Sequence, residues 1–210
     1  MNVREWALPV YTILMQLATG AMLVLWILRW LASPKFSPSE MDRIIRNPVM
    51  VILVTIIVAM GASHFHLSKP LHSFFAVRNF QTSWLSREVV FTMVFFLALF
   101  LLWILSRFKK DYRKLITALG WLSILFGFVM VYCMARIYML PTQAAWNSST
   151  VIVSFFATTF LLGTMAIACL LVLDLKFAEI QKADDIDVRA QVIKYSMVWL
   201  APVAFLAVAV

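Results

Sequence analysis

Charge is scarce in this chain. Asp, Glu, Lys and Arg make up 13% of its 210 residues, about half the share found in an ordinary globular domain. With 63% of the residues hydrophobic and a mean hydropathy of +0.91, a soluble single domain is excluded. Acidic residues are rarest, ten against eighteen basic, for a formal net charge of +8. That excess does not indicate nucleic acid, because Lys and Arg gather in short loops between apolar runs, where membrane topology accounts for them. Cysteine is limited to Cys133 and Cys169, both inside apolar runs. No zinc site, thiolate-held cluster or secreted disulfide framework is supported, and the two read as small core residues.

What is present is a series of long uncharged runs, at 6–28, 47–68, 89–106, 115–135, 137–173 and 195–210. About 20 residues of helix cross a bilayer core, and only segments with internally bonded backbone tolerate lipid. The pattern predicts an all-α integral membrane protein, a polytopic bundle of six spans near 6–32, 46–67, 87–107, 114–138, 150–174 and 192–210. A β-barrel would alternate polar and apolar residues instead. Residues 1–210 read as a single transmembrane domain. Ala18-Thr19-Gly20 offers a small-x-small step, yet the apolar run passes it to Leu31, so the first segment reads as an uncleaved span.

Thirteen basic residues flank the loops after spans one, three and five, among them Arg43, Arg107, Lys109, Lys110, Lys182 and Arg189; Arg4, Lys69, Arg78, Arg87 and Arg136 lie on the other side. The positive-inside rule then predicts an external N-terminus. The last run stops at Val210 with no polar tail. A terminal carboxylate in the bilayer core is costly, so the parent protein is expected to be longer.

All three histidines, His64, His66 and His72, fall within nine residues where the second span reaches the external face. A transmembrane b-type haem needs imidazoles on facing helices. No other span supplies one, and His64 and His66, two apart, point to different helix faces. A haem is not expected. The cluster is open to a metal-site reading, with Glu88 as its nearest acid in sequence, or to a plain interfacial one. Glu88 stands at the start of the third span, either as a helix-start acid behind an N-cap at Ser86 or as a proton acceptor near the hydrocarbon. Arg136, a lone cation closing a 21-residue uncharged run, could snorkel, pair with Glu88 or meet an anionic ligand. Tyr138 beside it is placed as an interface anchor is, and Gln16, nearly three turns into the first span, is expected to bond another helix. On the inner side, Arg107, Lys109, Lys110, Arg113 and Lys114 form an orientation signal that also meets anionic lipid, and the run from Asp184 to Asp187 reads as solvated loop.

His66-Leu67-Ser68-Lys69-Pro70, followed by Phe74, Arg78 and Asn79 and then Ser86-Arg87-Glu88, resembles the H-L-G-x-P … S-x-E stretch of the dimethyl sulfoxide reductase membrane anchor (DmsC) family. Glu5-Trp6 with Thr12, Gln16 and Gly20 looks like that family's first span, and Arg136-Ile137-Tyr138 with Trp146 like its fourth. Ser68 replaces the family's usual Gly, and the family has eight spans. The resemblance implies an anchor in the bacterial inner membrane that oxidises menaquinol on the periplasmic side. It implies that electrons pass to an iron-sulfur subunit serving a molybdopterin catalytic subunit, with no haem and no iron-sulfur cluster in this chain. His66 and Glu88 match residues implicated in quinol oxidation; Arg78, Arg136 and Tyr138 are further candidates for holding the quinol. A transporter and a passive anchor without redox chemistry are the competing expectations, although here the charges avoid the midplane that a transporter would mark.

Overall fold

The computed structural model describes residues 3–66, 77–108, 112–143, 146–180 and 185–209. Within them the chain forms six α-helices: α1 (Val3–Ala32), α2 (Pro38–His66), α3 (Trp84–Phe108), α4 (Arg113–Tyr138), α5 (Ser149–Ile180) and α6 (Ile186–Ala209). Five of these, α1 to α5, are long and apolar enough to cross a membrane. This is a multi-pass membrane protein; its sixth apolar run folds as the helix α6.

Three boundaries lie well outside the hydropathy reading: the start of α2, the end of α5 and the start of α6. α2 begins at Pro38, well before its apolar run, because Ser37 and Glu40 form a capping box. The Ser37 amide donates to Glu40 Oε2 at 2.7 Å and the Glu40 amide to Ser37 Oγ at 3.3 Å, while Pro38 sits at a position that needs no N–H donor. α5 runs on to Ile180, past Asp174, because that carboxylate is neutralised within the bundle.

Lipid provides no hydrophobic drive between helices, so close approach through small residues organises the core. α1 is the central helix. It packs against α2, α4 and α5, while α3 pairs mainly with α4, and α6 with α5. Ala18, Ala21 and Met22 of α1 are fully buried. At the α1–α5 crossing Gly20 meets Gly163 so closely that a Cβ on Gly20 would run into the Thr159 carbonyl. Gly120 of α4 likewise leaves room for the indole of Trp26. Cys133 is buried as expected, but Cys169 is exposed on α5 and is not a core residue.

The end of the bundle where α1 finishes and α2 starts is tied by charge. Arg29 pairs with Asp42 at 2.9 Å, and Lys35 lies over the Tyr195 ring at 4.2 Å. Asp185, expected in solvated loop, instead has a side chain only 12% exposed. Arg189 of α6 reaches it with Nε at 2.9 Å and also pairs with Asp174, which accepts from Asn47 Nδ2 at 2.7 Å. Asp185 is drawn inward because a guanidinium one turn along the helix can serve it and Asp174 at once. Asp187 is exposed; Asp184, Lys109, Lys110 and Lys182 lie outside the described residues.

Candidate functional site

The opposite end gathers the start of α1, the ends of α2 and α4, and the starts of α3 and α5. The entry into α3 is built locally. Ser83 Oγ accepts the Ser86 amide at 3.4 Å, so Ser83 is the capping side chain and Ser86 is buried in the first turn, which corrects the expected cap. The Arg87 guanidinium lies 4.3 Å from the Trp84 ring and donates to the Phe80 and Gln81 carbonyls at 3.0 and 2.6 Å. With its charge spent on backbone and ring, Arg87 folds the approach segment against the helix start.

Glu88 is therefore not a solvated helix-start acid. It is 4% exposed and points into the bundle, where Tyr11 of α1 is its hydrogen-bond partner and Cys133 of α4 lies within its field. Tyr11 also meets Thr92 Oγ1 at 2.9 Å. Among the described residues Glu88 makes no ion pair. A carboxylic group buried beside a phenol, with no cation among the described residues, is a candidate for proton exchange.

Arg136 does not neutralise Glu88. Its guanidinium stands 4.9 Å from the Trp84 ring, which also makes an edge contact with Tyr132, and its Nε is buried without a hydrogen-bond partner. Tyr138, in the last turn of α4, has its hydroxyl 3.4 Å from Thr12 Oγ1 and its ring against Phe155. Gln16 bonds another helix as expected, its Oε1 accepting from Thr158 Oγ1 at 2.6 Å. Glu88, Tyr11, Arg136, Tyr138 and Gln16 thus lie at one end of the bundle, with α5 supplying the partner of Gln16.

Arg78 lies exposed in a short turn at 77–79 before α3. His64 is exposed on α2, its Nδ1 donating to the Met60 carbonyl at 2.7 Å. His66 is the final residue of α2, so its backbone ends the helix at this same face, while all of His72 lies outside the described residues. Among the described residues no three His, Cys, Asp or Glu side chains gather as a metal site would require.

Sequence reasoning passed over Tyr11 and Thr92. A signal for Thr92 was present, since it stands four residues after Glu88 and so shares its helix face. For Tyr11 the only hint was its place beside Thr12 in an otherwise apolar segment.

A bundle of apolar helices with a buried acid and polar side chains collected at one end defines the class, a polytopic helical membrane protein. Residues 1–200 match the family model described as DMSO reductase anchor subunit (DmsC), and the chain belongs to that family. It is similar to the anaerobic dimethyl sulfoxide reductase protein YnfH of Escherichia coli, with 30% identity covering 80% of this chain and 57% of that one. It also resembles the C polypeptide of the anaerobic dimethyl sulfoxide reductase of Haemophilus influenzae, at 28% identity over 81% of this chain and 61% of the relative. The corresponding C polypeptide of E. coli is 27% identical over 77% of this chain and 55% of its own length. The protein therefore spans less than two thirds of the length of these curated relatives. No solved structure matches it.

Proposed function

We propose that this chain anchors a molybdenum-containing reductase in the bacterial inner membrane and oxidises menaquinol at its periplasmic face, passing the electrons to an iron-sulfur subunit. The observation that carries the reading is buried Glu88, without a cation and bonded to Tyr11, at the end where α2 finishes in His66. Membership of the anchor family supports it. In this reading α6 is the sixth span and the N-terminus is external, following the asymmetry of basic residues.

Oxidising a quinol to a quinone releases two protons and two electrons. The apolar tail enters between helices from the lipid, and the head group stops at the polar end. His66 accepts a hydroxyl proton, its ordinary pKa of about 6.5 being close to working pH. Glu88 takes the second proton and releases it outward, with the Tyr11 hydroxyl holding the carboxylate in place. Arg136, whose buried Nε has no other partner, donates to the deprotonated quinol oxygen, and Arg78 lines the entrance. The Tyr138 ring and hydroxyl close one wall. The electrons leave directly for the partner's cluster, since neither haem nor cluster is assigned to this chain. That requires the iron-sulfur and molybdopterin subunits to dock over the loops after the second and fourth spans. Phe80 and Trp84 lie beside that junction; Phe74 and Phe75 of the same loop are outside the described residues.

The test is quinol-driven acceptor reduction by the assembled complex, compared with reduction driven by a soluble dye that bypasses this subunit. Glu88→Gln is expected to lower the quinol-driven rate by about 10²-fold, at the lower end of general acid–base contributions, and to leave the dye-driven rate unchanged. Unchanged rates in both assays on replacing His66 as well as Glu88 would favour a passive anchor. A transporter lacks support from the helices themselves: among the described residues none is interrupted at mid-membrane, where discontinuous helices build transport sites.

A further inference from the structure

At the end of the bundle away from Glu88, α2 and α5 separate around a cleft of about 410 Å³, within the range of small-molecule sites. Its walls are apolar and exposed: Met50 and Val51 of α2, and Leu173 and Phe177 of α5, are each 42–61% exposed. Its floor is polar. Asn47, Asp174 and Arg189 meet there, the last contributed by α6.

The charges around this floor do not cancel. Both oxygens of Asp174 are occupied, one by Asn47 and one by Arg189, and both oxygens of Asp185 accept from Arg189 at 2.9 and 3.1 Å. The two acids share a single guanidinium, which leaves one negative charge for Arg43 to offset and the positive charge of Arg46 in surplus. Arg43 and Arg46 remain, both close enough to repel Arg189. Arg43 is half exposed and only 3.9 Å from an Asp185 oxygen that Arg189 already holds. Among the described residues Arg46 meets no carboxylate. Spacings of three and four residues place Arg43, Arg46, Asn47 and Met50 along one side of α2, so the surplus positive charge stands at the head of the apolar cleft.

We propose that this cleft is a binding site for one anionic phospholipid, its phosphate held by Arg43 and Arg46 and an acyl chain lying against Met50, Val51, Leu173 and Phe177. Basic recesses between transmembrane helices favour such headgroups by charge, and the open apolar walls give the chain a seat that a soluble anion would not use. The site is independent of quinol oxidation at the other end.

Native mass spectrometry of the full chain in detergent, with phosphatidylglycerol or phosphatidylcholine added, tests the assignment. One phosphatidylglycerol is expected to be retained at roughly tenfold preference over phosphatidylcholine, as two nearby cations predict. The double variant Arg43→Gln/Arg46→Gln should bring the two lipids to parity, and Arg43→Lys/Arg46→Lys should keep the preference. Leu173→Trp, at a lipid-exposed position, should fill the cleft and lower retention without removing charge. Equal retention of the two lipids by the unaltered chain, a preference unchanged in the double Gln variant, or a quinone retained in place of phospholipid would overturn the proposal.

Discussion

The Tyr11 and Thr92 hydroxyl oxygens lie 2.9 Å apart, joining α1 to α3 across 81 residues of chain and directly beside buried Glu88. The phenol touches both groups, so it sets where the Glu88 carboxyl can stand. Tyr11→Phe keeps the ring and removes that bond. A typical hydrogen bond contributes about 1 kcal/mol net, so a roughly fivefold fall in quinol-driven turnover is expected at unchanged dye-driven turnover. Wild-type quinol turnover in this variant would remove Tyr11 from the site.

His66 and His64 separate a site role from a generic interfacial one. His66→Ala should lower quinol-driven turnover by about 10²–10⁴-fold in a complex that still assembles. His64 is exposed and its ring is held by the Met60 carbonyl of its own helix. Its Ala variant should turn over quinol at nearly the wild-type rate. Similar losses in the two variants would argue against a specific base.

The orientation has a direct readout in reporter fusions. A reporter active only outside the membrane should be active when fused after Gln81 or Asn147 and silent after Lys110. The reverse pattern would place the Glu88 end on the inner side and, with it, overturn periplasmic quinol oxidation.

Two glycines of similar setting in sequence should respond oppositely. A Cβ at Gly163 would collide with the backbone of Gly20 and Ala21, which cannot move aside as a flexible side chain would. Gly163→Ala is expected to lower stability by about 1–3 kcal/mol, the usual cost of overpacking, read as a reduced unfolding temperature in detergent. A Cβ at Gly61 meets nothing within 4 Å. Gly61→Ala should therefore be neutral or stabilise by up to about 1 kcal/mol through helix propensity. Equal destabilisation of both would mean that α1 and α5 do not cross as described.

Long uncharged runs sufficed to locate six helices among the described residues, five of them long and apolar enough to cross a bilayer, which imposes a length and demands internal backbone bonding. The polar starts of α2 and α6 extend beyond those runs and were not legible from hydropathy. The same reading located Glu88 and Arg136 as ionisable groups at one membrane boundary. It could not say that Glu88 faces inward to Tyr11, that Arg136 stacks on Trp84 rather than pairing with Glu88, or that Asp185 turns into the bundle to Arg189. Those outcomes depend on the rotation of each helix about its axis. In water an apolar stripe on a polar helix announces that rotation, but in lipid both the buried and the exposed faces are apolar and the stripe is lost. Sequence by itself determined the apolar lengths, the asymmetry of basic residues and the residues able to exchange protons. Tertiary structure decided which of them meet, as where the close approach of Gly20 and Gly163 brings Gln16 within hydrogen-bonding distance of Thr158, 142 residues away.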